Sequence, residues 1–163
     1  DYLPHGTNIM TTGPPIAKGL DPAFDVHGML GGLAKWLRIL GFDAAFPRAA
    51  PTAGRIFATA ASRQCYVDAV YVSSATRLVQ LKEVQEHTGF LVDPTRLLTR
   101  CLLCNEPVRS LPRGLEVGRV PDRVLQRYAS FCHCPRCGRV FWGGSHRERI
   151  EKRLVDAGLV FLK

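Results

Sequence analysis

What this 163-residue chain lacks narrows its class before any motif is read. No apolar run approaches the roughly 20 residues that a membrane-spanning helix needs, so no membrane contact is expected. The sequence begins Asp1-Tyr2-Leu3-Pro4-His5, with no initiator Met and no charged-then-apolar leader, and it is expected to be part of a larger polypeptide. Cysteine is too scarce for a secreted disulfide scaffold. There are six, four of them in metal-ligand spacing, which argues for a reducing, intracellular setting, cytoplasmic or nuclear. Acidic residues run short in one half only. Residues 1–94 carry 8 Lys+Arg and 8 Asp+Glu, whereas residues 95–163 carry 14 and 6, so the whole net charge of +8 lies in the second half. A concentrated basic module favours an anionic partner, most simply nucleic acid. The blander reading is a solvated, Arg-rich surface.

What is present is organised around Cys101 to His146. Cys101-Leu102-Leu103-Cys104 and Cys134-Pro135-Arg136-Cys137 are separated by 29 residues, 105–133. Two residues between cysteines let the chain turn, so that both sulfurs reach one metal at about 2.3 Å; doubled, the spacing suits one tetrahedral Zn2+ on four thiolates. Such a site leaves no open position for water and is structural. Two unrelated pairs, or disulfides, are the competing reading. Cys132 and His133 are rival donors with poorer spacing, and Cys65 and Cys132 read as buried or free thiols.

Elsewhere the chain reads as an α/β domain. Residues 1–22, dense in Pro and Gly, read as a disordered arm or linker. A strand is expected over 23–26 and a helix over 29–40, with Leu30, Leu33, Ala34, Leu37 and Leu40 as the buried stripe and Gly41 as its cap. Gly31 and Gly32 cost that helix roughly 1 kcal/mol each against Ala, which close approach of a strand or phosphate would justify. Lys35 and Arg38, one turn apart and off the stripe, are candidate phosphate contacts on an otherwise solvated face. A helix over 55–64, a strand over 65–72, a helix from Leu78 to about His87 and a short strand at Phe90–Val92 follow. This alternation argues for a mainly parallel sheet. Between the cysteine pairs, 120–128 suit a short helix, and Phe141 and Trp142 sit in strand context, packed on the ribbon rather than stacked on bases. Ser145-His146-Arg147-Glu148 is a capping-box pattern opening a helix that ends at Gly158. His146, Arg147 and Arg149 crowd its start and are candidate RNA contacts, against a capped helix on a basic surface. The expected division is 1–22 as arm, 23–98 as α/β domain and 99–163 as zinc ribbon with a C-terminal helix.

Met29-Leu30-Gly31-x-Leu33-Ala34-Lys35-Trp36-Leu37-Arg38-Ile39-Leu40-Gly41-Phe42-Asp43 resembles the opening motif of the Mut-seven (mutator-seven) C-terminal ribonuclease domain family. Thr99-Arg100-Cys101 to Asn105, Val120-Pro121 and Phe131 to His146 resemble its second half, in the same order. The resemblance implies a PIN-like nuclease fold followed by a zinc ribbon. It also implies RNA processing, as at the end of proteins with a 3′–5′ exonuclease domain, with single-stranded RNA as partner. PIN-like nucleases hold Mg2+ or Mn2+ on clustered carboxylates, and the metals activate water. Here the first family Asp position is His27, the second is Ala75, and Pro51-Thr52-Ala53-Gly54-Arg55 offers no acid after Asp43. The remaining candidates for catalysis are Asp25, two residues from His27 in an extended segment, Asp43 and Asp68. Two functions therefore stand side by side: a metal-dependent ribonuclease rebuilt around Asp25, and a catalytically inactive, nuclease-like module that binds RNA or docks a protein. A zinc-dependent interaction domain with no nucleic-acid role is a weaker third.

Overall fold

The structure is a computed structural model that describes residues 21–48, 50–61, 66 and 69–163. The expectations for the N-terminal arm, Cys65 and Asp68 lie mostly or wholly outside the described residues.

The first layer is a parallel sheet. Its strands are β1 (Phe24–Val26), β2 (Ala44–Ala45), β3 (Ile56–Thr59) and β4 (Val70–Tyr71), in the order β2-β1-β3-β4. Phe24 pairs with Ala44 on one side and Ile56 on the other, so β1 is central. All three residues of β1 are buried, as expected for a parallel strand covered on both faces. The same physics corrects the helix expected over 55–64. Ile56-Phe57-Ala58-Thr59 is a strand between β1 and β4, buried from Phe57 onward. A short apolar run buried on both faces carries no period-2 alternation and cannot be told from a helix by spacing.

Helix α1 (Gly31–Ile39) follows a 3-10 turn at Gly28–Leu30 and packs against α2 (Arg77–Thr88). The expected stripe is in the core: Leu33, Ala34 and Leu37 are fully buried, and Leu30 and Leu40 nearly so. Burying a Leu stabilises by about 1.5–3 kcal/mol, so these leucines outweigh the two glycines. Arg77 of α2 lies across α1 at Gly32, where an added Cβ would sit 2.5 Å from its Nε. Gly41 has φ +86°, and a Cβ there would meet the Arg96 carbonyl oxygen at 2.7 Å. The opposite face of α1 is also covered, since Trp36 and Arg38 are buried.

The cysteine-bearing segment forms a second, antiparallel sheet, β5 (Arg109–Ser110), β6 (Phe131–His133) and β7 (Val140–Trp142), with α3 (Asp122–Arg127) between β5 and β6. Its own core is small: Leu111, Val120, Val124 and Phe131. Helix α4 (His146–Asp156) packs away from this small core. Leu154 and Leu159 are buried in the first core, with Ile150, Ala157 and Phe161 against it. The expected strand at Phe90–Val92 reduces to one bridge, Val92 with Phe161, through which the C-terminal tail also rejoins that core. Ser145 has helical dihedrals (φ −59°, ψ −3°) and makes no capping hydrogen bond, so the capping box is not realised.

Candidate functional site

Two clusters of chemistry-bearing side chains meet where the first sheet abuts the cysteine loops. The first is the thiolate cluster. The sulfurs of Cys101, Cys104, Cys134 and Cys137 all lie within 4.8 Å of one another. Cys101 N–H donates to Glu106 O, and Asn105 and Gly138 N–H donate back to Cys101 O and Cys134 O, closing each pair into a tight turn. The backbone N–H of Arg139 pulls the Cys137 thiol down to about 7, while burial pushes the Cys104 thiol the other way, up to about 12. The donor set fits Zn2+, with the four cysteines as the whole coordination sphere. Cys132 lies in β6, outside this cluster.

The second cluster surrounds Asp25 and Asp43. Asp25 lies on central strand β1 and is 1% exposed. Asp43 sits in the turn between α1 and β2. The structure brings these two candidates together, though a cation already stands between them. Arg55, just before β3, donates Nε–H to Asp25 Oδ1 at 2.6 Å, Nη1–H to Asp43 Oδ2 at 2.9 Å and Nη2–H to Asp43 Oδ1 at 2.7 Å. Nη2–H also donates to Phe24 O at 2.7 Å. Thr52 N–H takes Asp25 Oδ2 at 2.6 Å, and Asn105 Nδ2–H takes Asp43 Oδ1 at 2.6 Å. All four carboxylate oxygens therefore already accept a hydrogen bond. The Arg55 hydrogen bond holds the Asp43 carboxyl well below its usual 3.8, at about 2. Asp43 in turn drives Arg55 further above its ordinary range.

Asn105 joins the two clusters. It directly follows Cys104 and has φ +63°, and its Oδ1 accepts from Ala44 N–H at 3.0 Å while its amide donates to Asp43. Asn tolerates this left-handed geometry better than most side chains.

These contacts do not fit Mg2+ or Mn2+. A hard ion such as Mg2+ needs open oxygen donors at about 2.0–2.1 Å and keeps several waters. Here Asp25 is sealed from solvent, and every oxygen of both carboxylates already accepts an N–H. His27, where the resemblance implies an Asp, has an Nδ1 that is buried without a hydrogen-bond partner. Ala75 offers no ligand.

The RNA-contact candidates divide. Arg38 is not on a solvated face, which corrects that expectation. It is 5% exposed, donating Nε–H to Ala44 O at 2.9 Å and Nη1–H to Leu102 O at 2.7 Å, so it clamps α1 to β2 and the first cysteine loop. Lys35 is exposed and, with Arg77, Arg153 and Trp36, lines a groove of about 350 Å3. Arg153 stacks over Trp36, its guanidinium carbon 5.2 Å from the ring centroid. Arg147 is held by Glu151 at 3.0 Å and by Pro94 O. His146 and Arg149 are exposed.

Sequence reasoning missed Arg55, Thr52 and Asn105. The signal for Arg55 was there: a base 12 residues after Asp43, in a segment where an acid was sought. A family model described as the Mut7-C RNAse domain matches residues 22–154. No curated protein and no solved structure gives a significant match.

Proposed function

Given that the chain belongs to the Mut7-C RNAse domain family, we propose that it is the RNA-processing domain of an exoribonuclease-type protein and that its own part is to hold single-stranded RNA. The observation that carries this reading is the arginine array on the zinc module. Arg109, Arg113, Arg123, Arg136 and Arg139 are all exposed. Among the described residues the ion pairs involve other side chains, so these five carry unpaired charge. Unpaired guanidiniums on a rigid ribbon suit phosphate oxygens, which they can meet bidentately. Lys35, Arg77 and Arg153, converging beside Trp36, extend the cationic surface across the α/β domain. Zn2+ on Cys101, Cys104, Cys134 and Cys137 would hold the ribbon in shape and supply no reaction chemistry.

Phosphodiester hydrolysis by Asp25, Asp43 and Asp68 is a second reading, supported by the convergence of the first two. The saturated carboxylates weigh against it.

The test uses end-labelled single-stranded RNA. Binding is expected to weaken as salt rises, with a log–log slope that falls by roughly 0.7 for each lost phosphate contact in Arg109→Ala and Arg139→Ala. No cleavage is expected in Mn2+ beyond that in EDTA. Binding indifferent to salt and to both substitutions would sink the RNA reading. Mn2+-dependent cutting lost in Asp43→Asn would replace it with the hydrolytic one.

A further inference from the structure

Two carboxylates that reach one small group repel each other unless a cation lies between them. In this chain the cation is a side chain. Arg55 spends Nε, Nη1 and Nη2 on Asp25, Asp43 and the Phe24 carbonyl, and its side chain is only 17% exposed. Arg100 adds positive charge near Asp43. Two carboxylates with two nearby guanidiniums are already neutral, so an added divalent ion would find no net negative charge to attract it. It would also have to compete with the N–H donors that already sit on every carboxylate oxygen.

We infer that Arg55 is the resident counter-ion of the Asp25–Asp43 pair and excludes divalent cations from it, so that loss of this one side chain turns the pair into a Mg2+- or Mn2+-binding site. Removing Arg55 frees Asp25 Oδ1 and Asp43 Oδ2 outright and leaves two facing carboxylates that need a cation. Asn105 and Thr52 continue to hold both groups in place. The site's donors are then hard oxygens, which suit these ions. The inference stands independently of RNA binding, which is read by a separate isotherm.

The experiment is a Mn2+ titration of the zinc-loaded full chain, counting bound ion from the loss of the free-Mn2+ EPR signal. It compares the native sequence with Arg55→Ala, Arg55→Gln, Asp43→Asn and the Arg55→Ala/Asp43→Asn double variant. Native protein is expected to show no binding that depends on Asp43. Arg55→Ala or Arg55→Gln is expected to bind one Mn2+ per chain, roughly tenfold or more tighter than any Asp43-independent binding by the native chain, and the double variant to lose it. Mn2+ should also raise the melting temperature of the Arg55 variants and leave that of the native chain unchanged. One Mn2+ bound by native protein and released by Asp43→Asn overturns the inference, whether or not the Arg55 variants fold. A folded Arg55 variant that gains no Mn2+ overturns it as well.

Discussion

Arg55 joins the central strand at Asp25 to the turn at Asp43, and Asp25 in turn accepts from Thr52 N–H in the loop before β3. Geometry makes the arrangement strong, because the planar guanidinium takes both Asp43 oxygens side by side. Its dependence on pH follows from the sign of the Asp43 shift. The folded carboxyl titrates at about 2 against an ordinary 3.8, so its contribution is fully present above pH 3.8. It is lost as pH falls through the interval down to about 2. Thermal melts between pH 5 and pH 2 are expected to fall more steeply for the native chain than for Asp43→Asn, with the difference confined to that window. Parallel curves would mean that Asp43 gains nothing from Arg55. Among neighbouring residues, Arg38 shows the same chemistry in a different role. It answers backbone carbonyls at both ends of its reach and ties the first cysteine loop to the sheet.

At the scale of elements, α1 carries the fold. Its leucine stripe lies in the core shared by the sheet, α2 and α4, while Arg153 stacks on Trp36 and Arg38 reaches the first cysteine loop, so both of these are buried as well. Its end is specified by Gly41. The positive φ and the 2.7 Å approach of the Arg96 carbonyl leave no room for a side chain. Gly41→Ala is expected to destabilise by about 1–3 kcal/mol through a left-handed backbone and a clash with rigid main chain. Urea denaturation monitored at Trp36 would measure it, and a change below half a kcal/mol would contradict the account. Helix α2 ends against the C-terminal tail through Gln85. Its amide donates to Phe90 O and Val160 O and its carbonyl accepts from Val160 N–H, so a buried polar side chain does the work of the missing strand.

For the whole molecule, the two cores differ greatly in size. Among the described residues the first contains twenty buried hydrophobics, drawn from both ends of the described chain, and the second contains four. A module with so small a core would gain most of its stability from a bound metal, since the binding free energy of a structural zinc is folding free energy. Stripping Zn2+ with a chelator is expected to unfold β5 to β7 while the parallel sheet and α1, α2 and α4 persist. Hydrogen exchange should then show lost protection at Phe131–His133 and Val140–Trp142 and retained protection at Phe24–Val26. Uniform loss over both regions would mean one cooperative unit. Asn105 predicts a local coupling on top of this, because it directly follows Cys104 of the thiol cluster and holds Asp43.

How much of this was legible depended on the range of the physics. The four metal-spaced cysteines, the buried stripe of α1 and the stop at Gly41 are local patterns, written in spacings of two to four residues. They were readable because ligand reach and helical period act over that distance. The parallel sheet was legible as a class, but β3 was not. Its apolar run is buried on both faces only because β1 and β4 flank it. The placement of α4 in the first core, the burial of Arg38 and the unused capping box likewise depend on contacts between residues far apart in sequence. The same holds for the site. The chain by itself determined that His27 and Ala75 stand where carboxylates were expected and that Asp25 and Asp43 remain. Only the tertiary structure decided what faces those two acids, because a parallel sheet sets Arg55 beside Asp25 across 30 residues of chain. At that range a salt bridge leaves no periodic trace in the sequence.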